Sequence, residues 1–286
     1  MVEARALLRK RLKTMNHTLA TQYTIEDLRY LMRRLRDPET GCPWDLKQTF
    51  RSITSHTLEE VYEVVDAIER DDITHLGEEL GDLLFQIIFY SQLAEEQGQF
   101  SFEEIINTIT HKLIRRHPHV FPEGTLESSR LSMAESEIVE IKQVWEAIKR
   151  QERLDKGSGK TLDDIPFALP ALNRAVKLQK RAASVGFDWP DVQPVVEKIN
   201  EELIELDIEI QSGDRDRMAD ELGDLLFSCV NLARHLKIDP EASMRGANEK
   251  FKRRFESMEL LAGEKKIEDH SVDQLESLWR EVKRAE

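Results

Sequence analysis

Residues 59 to 85 read EEVYEVVDAIERDDITHLGEELGDLLF, and residues 201 to 227 read EELIELDIEIQSGDRDRMADELGDLLF, at a constant shift of 142 in the numbering. The opening EEVYE recurs as EELIE, and the closing ELGDLLF recurs letter for letter. Two further matches follow at shifts of 138 and 134: Lys112 and Arg116 with Lys250 and Arg254, then Trp145 and Lys149 with Trp279 and Lys283. A pattern that repeats over this distance indicates an internal duplication.

The duplicated units are predicted to be helical. Only 12 Gly and 9 Pro interrupt 286 residues, and long stretches are rich in Leu, Glu, Arg and Ala, which favour helix. Helix starts are signalled by capping boxes and by Asp239 before Pro240, and helix ends by Pro38, Pro118 and Gly186. The boxes pair Thr24 with Asp27, Ser101 with Glu104, and Ser271 with Gln274. The sequence therefore predicts an all-α protein of tandem helical-bundle domains.

Domain boundaries follow from breaks in this pattern. Residues 1–22 are basic and have no core pattern. We expect this segment to be a loose arm, unless translation begins at Met15. The segment DKGSGKTLDDIP interrupts the periodicity, so we expect domains at 23–153 and 167–286 joined by a linker at 154–166. GSGKT lacks the glycine that a phosphate-binding loop needs five residues before Gly159, where Leu154 stands.

Composition excludes several classes of function. The formal net charge of −14 disfavours nonspecific nucleic-acid binding. No apolar run is long enough to span a membrane. Cys42 and Cys229 are far apart, which indicates neither a disulfide framework nor a zinc site and fits a reducing cytoplasm. We therefore expect a cytoplasmic protein with no membrane and no nucleic-acid partner.

Acidic side chains are the candidate metal ligands. Residues three apart share a helix face, so Glu60 with Glu63, and Glu79 with Asp82, are expected to converge across a turn between two helices, with Glu59 adjacent. The second repeat offers the equivalent set, which is Glu202, Glu205, Glu221 and Asp224 with Glu201 adjacent. Oxygen-only ligand sets suit Mg²⁺ or Mn²⁺. Apolar neighbours predict that these acids border a core stripe. They are Val61, Val64, Val65 and Ile68 beside the first glutamates, and Leu80, Leu83, Leu84 and Phe85 beside the second pair.

Other readings of the acids and histidines are weaker. A single EExxE is typical of a solvated helix face, but the paired and duplicated pattern favours metal binding. A di-iron bundle needs Glu-x-x-His, and neither Glu63 nor Glu79 has a His three residues on. His111, His117 and His119 lie among arginines, so surface or helix-end roles are expected for them.

The EExxE and ExxD spacing resembles that of the all-α nucleoside triphosphate pyrophosphohydrolases, and the triphosphate substrate that this resemblance implies would require cations in the site. Four carboxylates and a triphosphate carry about eight negative charges against four from two Mg²⁺ ions. The candidate phosphate ligands are Lys250, Arg254 and Lys283 in the second repeat, and Lys112, Arg116 and Lys149 in the first. Trp279 and Trp145 are candidates for stacking on the base, with helix-end packing as the alternative. Trp44 and Trp189 are expected to anchor loops.

EEVYE with ELGD, and EELIE with ELGD, resemble the EExxE and ExxD motifs of the all-α nucleoside triphosphate pyrophosphohydrolases, and specifically the two-domain MazG family. RLRDPETGCPWD, RRHPHVF, DDIP, NRAVKLQKRAASVGFDW and ANEKFKRRF are similar too, so the resemblance covers most of the chain after residue 24. It implies Mg²⁺-dependent hydrolysis of nucleoside triphosphates to monophosphate and pyrophosphate. It also implies broad base tolerance, housecleaning of nucleotide pools, a homodimer, and a second repeat that carries most of the catalysis.

In this reading the catalytic residues are Glu201, Glu202, Glu205, Glu221 and Asp224. The alternative is a nonenzymatic helical module that binds Mg²⁺ and nucleotides in order to regulate a protein partner.

Overall fold

The structure is a computed structural model that describes residues 22–128, 138–155, 160–263 and 266–286. These residues form ten α-helices and no strand, which confirms the all-α prediction. The helices are α1 (Ile25–Leu35), α2 (Thr54–Glu69), α3 (Ile73–Glu96), α4 (Phe102–Arg116), α5 (Ile138–Asp155), α6 (Ala171–Ala183), α7 (Gln193–Ser212), α8 (Arg215–His235), α9 (Pro240–Ala262) and α10 (Val272–Ala285).

The helix ends follow the local sequence. All three predicted capping boxes are present, at the starts of α1, α4 and α10. Asp239 caps α9, and Pro240 is its first residue. Helix α4 ends at Arg116, because Pro118 disfavours the helical conformation at His117. Helices α1 and α6 end at Leu35 and Ala183, shortly before the stops that the sequence predicts.

The chain divides into two compact units, one ending at Ile148 and the other beginning at Lys149. In the first unit α2 packs against α3, which also contacts α1 and α4. In the second unit α7 packs against α8, α6 packs against α8, and α9 packs against α10. The division falls inside α5, whereas the sequence predicts a linker at 154–166, so the predicted boundaries stay a prediction. The arm at 1–21 and most of GSGKT lie outside the described residues.

The duplication extends to the turn that joins the two acidic helices of each unit. Asp71 and Gly213 occupy equivalent positions of the two repeats, and both adopt a left-handed backbone, with φ of 56° and 80°. The next residues, Asp72 and Asp214, accept hydrogen bonds from the first turns of α3 and α8. The same turn therefore sets how α2 meets α3 and how α7 meets α8.

The apolar stripe beside the acids is covered in part: Val64, Val65, Leu83 and Phe85 are half-buried, and Phe85 packs against the core of the first unit. Val61, Ile68, Leu80 and Leu84 are exposed. The second unit has similar exposed side chains on α7 and α8, among them Ile204, which is 63% exposed. Among the described residues, none of the helices combines the length and the apolar composition that a membrane span requires.

Candidate functional site

Three carboxylates of the second unit converge between α7 and α8. Glu202 and Glu205 come from α7 and Glu221 comes from α8, and one oxygen of each lies within 4.8 Å of the other two. Glu202 is only 4% exposed, while Glu205 and Glu221 are half-buried. Asp224 lies one turn beyond Glu221, is exposed, and lines a neighbouring cavity. Three of the four predicted ligands are thus close together, and the fourth is adjacent.

The first unit has an equivalent cluster with a different third member. Glu60, Glu79 and Asp82 bring carboxylate oxygens within 4.8 Å of one another. Glu63 is outside this group of three, although it interacts with Glu79. His75 approaches Glu79, with 3.0 Å between Nε2 and Oε1. Within the described part of the chain, groups of three or more metal-ligating side chains that could hold an ion are these two clusters.

Burial and mutual repulsion disfavour the charged form of these acids. Burial raises the pKa of Glu221, and repulsion from Glu205 and Glu202 raises it further. The pKa of Glu60 is raised in the same way, by burial and then by the charge of Asp82. Burial also raises the pKa of Glu79, and His75 partly opposes this. A bound cation would relieve the repulsion.

The geometry of the clusters fits a divalent cation. Two oxygens bound to one ion cannot be farther apart than twice the metal–oxygen distance, which is about 4.2 Å for Mg²⁺ and about 5 Å for Ca²⁺. Separations of up to 4.8 Å lie inside the limit for Ca²⁺ and slightly beyond that for Mg²⁺, so a small inward shift of the side chains would let them share one Mg²⁺ ion; the donors are all carboxylate oxygens. Hard divalent cations prefer this donor set.

Lys198 is a site residue that the sequence reasoning missed. Its Nζ lies 2.7 Å from Glu201 Oε1 and 2.9 Å from Glu202 Oε1. These hydrogen bonds, first with Glu201 and then with Glu202, raise the pKa of Lys198, so it stays cationic. The equivalent position of the first repeat is His56, whose Nδ1 lies 3.7 Å from Glu59 Oε2. The i−4 spacing of Lys198 from Glu202 was the available signal.

The acidic cluster of the second unit adjoins a cavity of about 810 Å³. Cavities that hold small ligands usually measure about 300–1,000 Å³. Trp189 lines this cavity, a position that the expected role as a loop anchor did not include. The lining is Leu162, Leu178, Gln179, Ala182, Gly186, Phe187, Asp188, Trp189, Lys198, Glu202, Asp224, Phe227, Ser228, Asn231 and Arg234.

One face of α8 supplies a polar stripe along the cavity. Asp224, Ser228, Asn231 and Arg234 are spaced three or four residues apart and therefore share that face. Ten residues of helix extend about 15 Å, which is enough for a nucleotide. At the end opposite the acids, Arg234 Nη1 donates to Asp188 Oδ2 at 2.9 Å, and this ion pair lowers the pKa of Asp188. The stripe thus carries the negative charge of Asp224 at one end and the paired charges of Arg234 and Asp188 at the other.

One position of this polar stripe is a core residue in the first unit, where the other equivalents, Asp82, Gln86 and Gln92, are polar. Phe89 is the first-repeat equivalent of Asn231, and it is 1% exposed in a cluster with Met32 and Ile88. Leu93, equivalent to His235, is in the same cluster. An aromatic core residue therefore stands where the second unit has an amide that lines a cavity.

The predicted phosphate ligands of the second unit lie on α9 and α10, where two of the predicted substrate-binding residues meet. The Arg254 guanidinium is 5.9 Å from the centre of the Trp279 ring, which also packs against Phe251. Arg254 donates to Glu286 from Nε at 2.9 Å and from Nη2 at 2.6 Å. Bonds from Arg254 and Arg253 lower the pKa of Glu286 to about 2. Lys250 and Lys283 are exposed, and the phosphate contacts stay a prediction.

In the first unit, Trp145 lies near the end of α4, with its ring centre 6.2 Å from that of His117. His117 Nδ1 is 2.6 Å from the Leu113 carbonyl, which confirms the helix-end role expected for this histidine. Lys112 and Arg116 are half-buried on α4, and Lys149 lies on α5. The predicted substrate contacts of these four residues, Lys112, Arg116, Trp145 and Lys149, also stay predictions.

Comparison with known proteins gives consistent matches. The model of the MazG nucleotide pyrophosphohydrolase domain matches residues 48–121 and 191–258, one segment in each repeat. A nucleoside triphosphate pyrophosphohydrolase of Escherichia coli K12 is 49% identical over 266 residues, which are 92% of this chain and 98% of that protein. The nucleoside triphosphate pyrophosphohydrolase/pyrophosphatase MazG of Thermotoga maritima is 42% identical over 260 residues, 90% of this chain and 95% of that protein. The chain therefore belongs to the MazG family and is a nucleoside triphosphate pyrophosphohydrolase.

Proposed function

We propose that the second unit is the principal hydrolytic site, with Glu202, Glu205, Glu221 and Asp224 as ligands of Mg²⁺ or, as a substitute, Mn²⁺. The observation that carries this proposal is the acidic cluster that opens into a cavity of about 810 Å³, large enough for a nucleotide. Asp224 and Glu202 line that cavity, so a phosphate bound there would lie next to the ligand set. The substrate is a nucleoside triphosphate, and the products are the monophosphate and pyrophosphate.

The chain's own residues orient the reacting groups. When bound, a divalent cation would supply positive charge that stabilises the developing phosphate charge and lowers the pKa of a bound water. Glu201, held by Lys198 at 2.7 Å, is placed to orient the attacking water or to act as an outer-shell group. Lys198 offsets part of the negative charge of Glu201 and Glu202 and adds a fixed positive charge beside the phosphates. Water cleaves the bond between the α and β phosphates.

The first unit holds a second metal set, Glu60, Glu63, Glu79 and Asp82 with Glu59 adjacent, and contributes less to hydrolysis. Two differences support this assignment. His56 stands where the second unit has the cation Lys198. Phe89 is buried in the core where the second unit has the cavity residue Asn231. Its acids can bind a cation, but a core aromatic residue stands at one of the positions that line the cavity in the second unit.

Basic and aromatic residues of α9 and α10 complete the phosphate site in this proposal. Lys250, Arg254 and Lys283 bind phosphates, and Trp279 stacks on a base or ribose. The 5.9 Å approach of Arg254 to the Trp279 ring supports a shared role. Arg254 must exchange its bonds to Glu286 for bonds to phosphate. Lys112, Arg116, Trp145 and Lys149 have the equivalent roles in the first repeat.

Base tolerance follows from the kind of cavity. Phe187 and Trp189 offer aromatic surface, and every base has a π-face that can stack on such rings. We infer that several nucleoside triphosphates are hydrolysed and that the enzyme cleans nucleotide pools. That substrate pool and the two free cysteines, Cys42 and Cys229, support a cytoplasmic location.

A homodimer is supported by the exposed apolar stripes. Ile204 and Ile208 on α7, with Leu222 and Leu226 on α8, recur at i and i+4 and are exposed next to the acidic cluster. A second copy offers the same stripe, so pairing would bury both in a four-helix arrangement. Light scattering coupled to size-exclusion chromatography should give twice 33.3 kDa. A concentration-independent mass of one chain would refute the dimer.

Turnover distinguishes this proposal from a nonenzymatic module that binds Mg²⁺ and nucleotides. The purified protein is incubated with each nucleoside triphosphate and Mg²⁺, and monophosphate and pyrophosphate are measured. Each chain is expected to turn over many times and to release monophosphate and pyrophosphate in equal amounts. Stoichiometric binding without turnover would favour the module. Hydrolysis in ¹⁸O water then locates the attacked phosphorus, because the label enters either the monophosphate or the pyrophosphate.

A further inference from the structure

A buried glutamine lines the cavity with half of its amide unsatisfied. Gln179, on α6, is 7% exposed. Its Nε2 donates to the Phe227 carbonyl of α8 at 2.8 Å. Its Oε1 is buried and has no hydrogen-bond partner among the described residues. Buried polar atoms are normally paired, so this oxygen indicates a missing partner.

The missing partner must be a hydrogen-bond donor. Turning the amide over would bring Oε1 against the Phe227 carbonyl, and two acceptors cannot bond to each other. The bond to Phe227 therefore fixes the orientation of Gln179 and leaves only an acceptor for a ligand. A phosphate offers acceptors and negative charge, so it does not complement this group. A ribose hydroxyl or a base N–H does.

The position of Gln179 along the cavity favours the sugar. Its partner Phe227 lies three residues after Asp224 on α8, which is about one turn, or about 5 Å along the helix, beyond Asp224 and about 9 Å beyond Glu221. In a triphosphate the ribose follows the α-phosphate, and the base lies farther away. The aromatic side chains Phe187 and Trp189 line the same cavity and suit the base.

We propose that Gln179 is a specificity-determining residue whose Oε1 accepts a hydrogen bond from the nucleoside part of the substrate, with a ribose hydroxyl as the donor. This inference rests on the proposed function, because it requires the nucleotide to bind in the cavity of the second unit. Gln179 discriminates against sugars that lack the hydroxyl without reading the identity of the base, which is compatible with use of several bases.

The test couples a change in the enzyme with a change in the nucleotide. The kcat/KM for ATP is compared with that for 2′-deoxy-ATP, 3′-deoxy-ATP and the triphosphate of purine riboside, which lacks the amino group. The wild-type chain should prefer ATP to one of the deoxy analogues by about tenfold, as loss of one buried hydrogen bond predicts. Gln179→Leu should abolish that preference.

Gln86→Leu is the matched control. Gln86 is similarly buried, at 8% exposed, and its Oε1 also lacks a partner among the described residues, but it lies in the first unit. It should retain the wild-type preference. Calorimetry with nonhydrolysable α,β-imido analogues of ATP and deoxy-ATP should show the same loss of discrimination in binding. Gln179→Met is measured alongside, so that a folding defect in one variant does not decide the result.

Each outcome decides the inference. Loss of discrimination against a deoxy analogue supports the ribose hydroxyl. Loss of discrimination against the purine riboside analogue alone supports the acceptor role and assigns the donor to the base, which overturns the sugar assignment. Unchanged preferences in both Gln179 variants overturn the inference and leave an ordered water as the partner. Failure of the proposed function is recognised by a different result. If the second unit is not the principal hydrolytic site, the Glu202→Gln variant should still hydrolyse nucleoside triphosphates.

Discussion

Glu202→Gln tests the assignment of catalysis to the second unit, with Glu60→Gln as its counterpart at the equivalent position of the first repeat. Each glutamate belongs to a group of three carboxylates whose oxygens lie within 4.8 Å. The substitution keeps the size of the side chain, and the oxygen of the new amide can still accept the bond that Lys198 makes to Glu202 at 2.9 Å. The main change is therefore the loss of one negative charge of three.

The magnitude follows from the role of that charge. Mutating even the outer partners of a metal site typically costs about 10- to 100-fold in metal affinity or activity, so replacing a direct ligand should cost at least about 100-fold. A 100-fold loss of kcat/KM corresponds to about 2.7 kcal/mol of transition-state stabilisation. Glu60→Gln should stay within about threefold of wild type, because Phe89 fills the first unit where Asn231 lines the cavity of the second.

The assay is pyrophosphate release at several Mg²⁺ concentrations, with circular dichroism to show that both variants are folded. High Mg²⁺ should restore part of the activity of Glu202→Gln, since weaker binding is offset by mass action. The reasoning is refuted if folded Glu202→Gln keeps more than a tenth of wild-type kcat/KM while Glu60→Gln loses most of it. The two units would then have to exchange roles.

Three further predictions concern the metal, the phosphate ligands and pH. Treatment with EDTA and desalting should abolish hydrolysis, and Mg²⁺ or Mn²⁺ should restore it; full activity after that treatment contradicts a metal requirement. Arg254→Ala and Lys250→Ala should each cost about 1.5–3 kcal/mol in kcat/KM if they bind phosphate, and unchanged values would make both structural. For metal-free protein, the melting temperature of Glu221→Gln relative to wild type should rise with pH from about 4.5 upwards, and a flat difference contradicts this.

The sign of the pH effect follows from linkage. Burial and the neighbouring glutamates raise the pKa of Glu221 above its usual 4.5 in the folded chain. The folded state then binds the proton more tightly than the unfolded state, so Glu221 destabilises the metal-free fold as pH rises through and above that value. Glutamine carries no charge and escapes this effect. A divalent cation should reverse the order, because only wild type gains the stabilisation of a full ligand set.

The sequence predicts the fold well because its signals are local. Capping boxes such as Ser101 with Glu104 act within one helical turn, and all three formed as expected. The helix stop before Pro118 is equally local. The predicted apolar stripe is half-buried at Val64 and Phe85 but exposed at Val61 and Leu80, because periodicity identifies an apolar face without saying how much of it the same chain covers.

The candidate site could be predicted only in part from the sequence. Spacing along a helix identified the acids, and three of each four came together. Gln179 and Trp189 were missed because they reach the cavity through tertiary packing, from α6 and from the segment before α7. Nothing in the spacing of a glutamine within a helix distinguishes a buried acceptor from an exposed side chain. Arg254 was predicted to bind phosphate, but in the structure it donates a hydrogen bond to Glu286. Helical spacing could not indicate this partner, because Glu286 lies 32 residues away in the sequence.

The duplication explains why motif reasoning alone could not separate the two units. Both repeats keep EExxE and ExxD, so the acids are the same in each, and any difference must come from the residues around them. A cation at Lys198 is replaced by His56, which is charged only when protonated, and Asn231 is replaced by Phe89. The first change removes a lysine that pairs with the acids, and the second places a buried aromatic ring where the second unit has an amide that lines the cavity. The proposed division of labour between the two units therefore rests on residues around an unchanged ligand set rather than on the acids themselves.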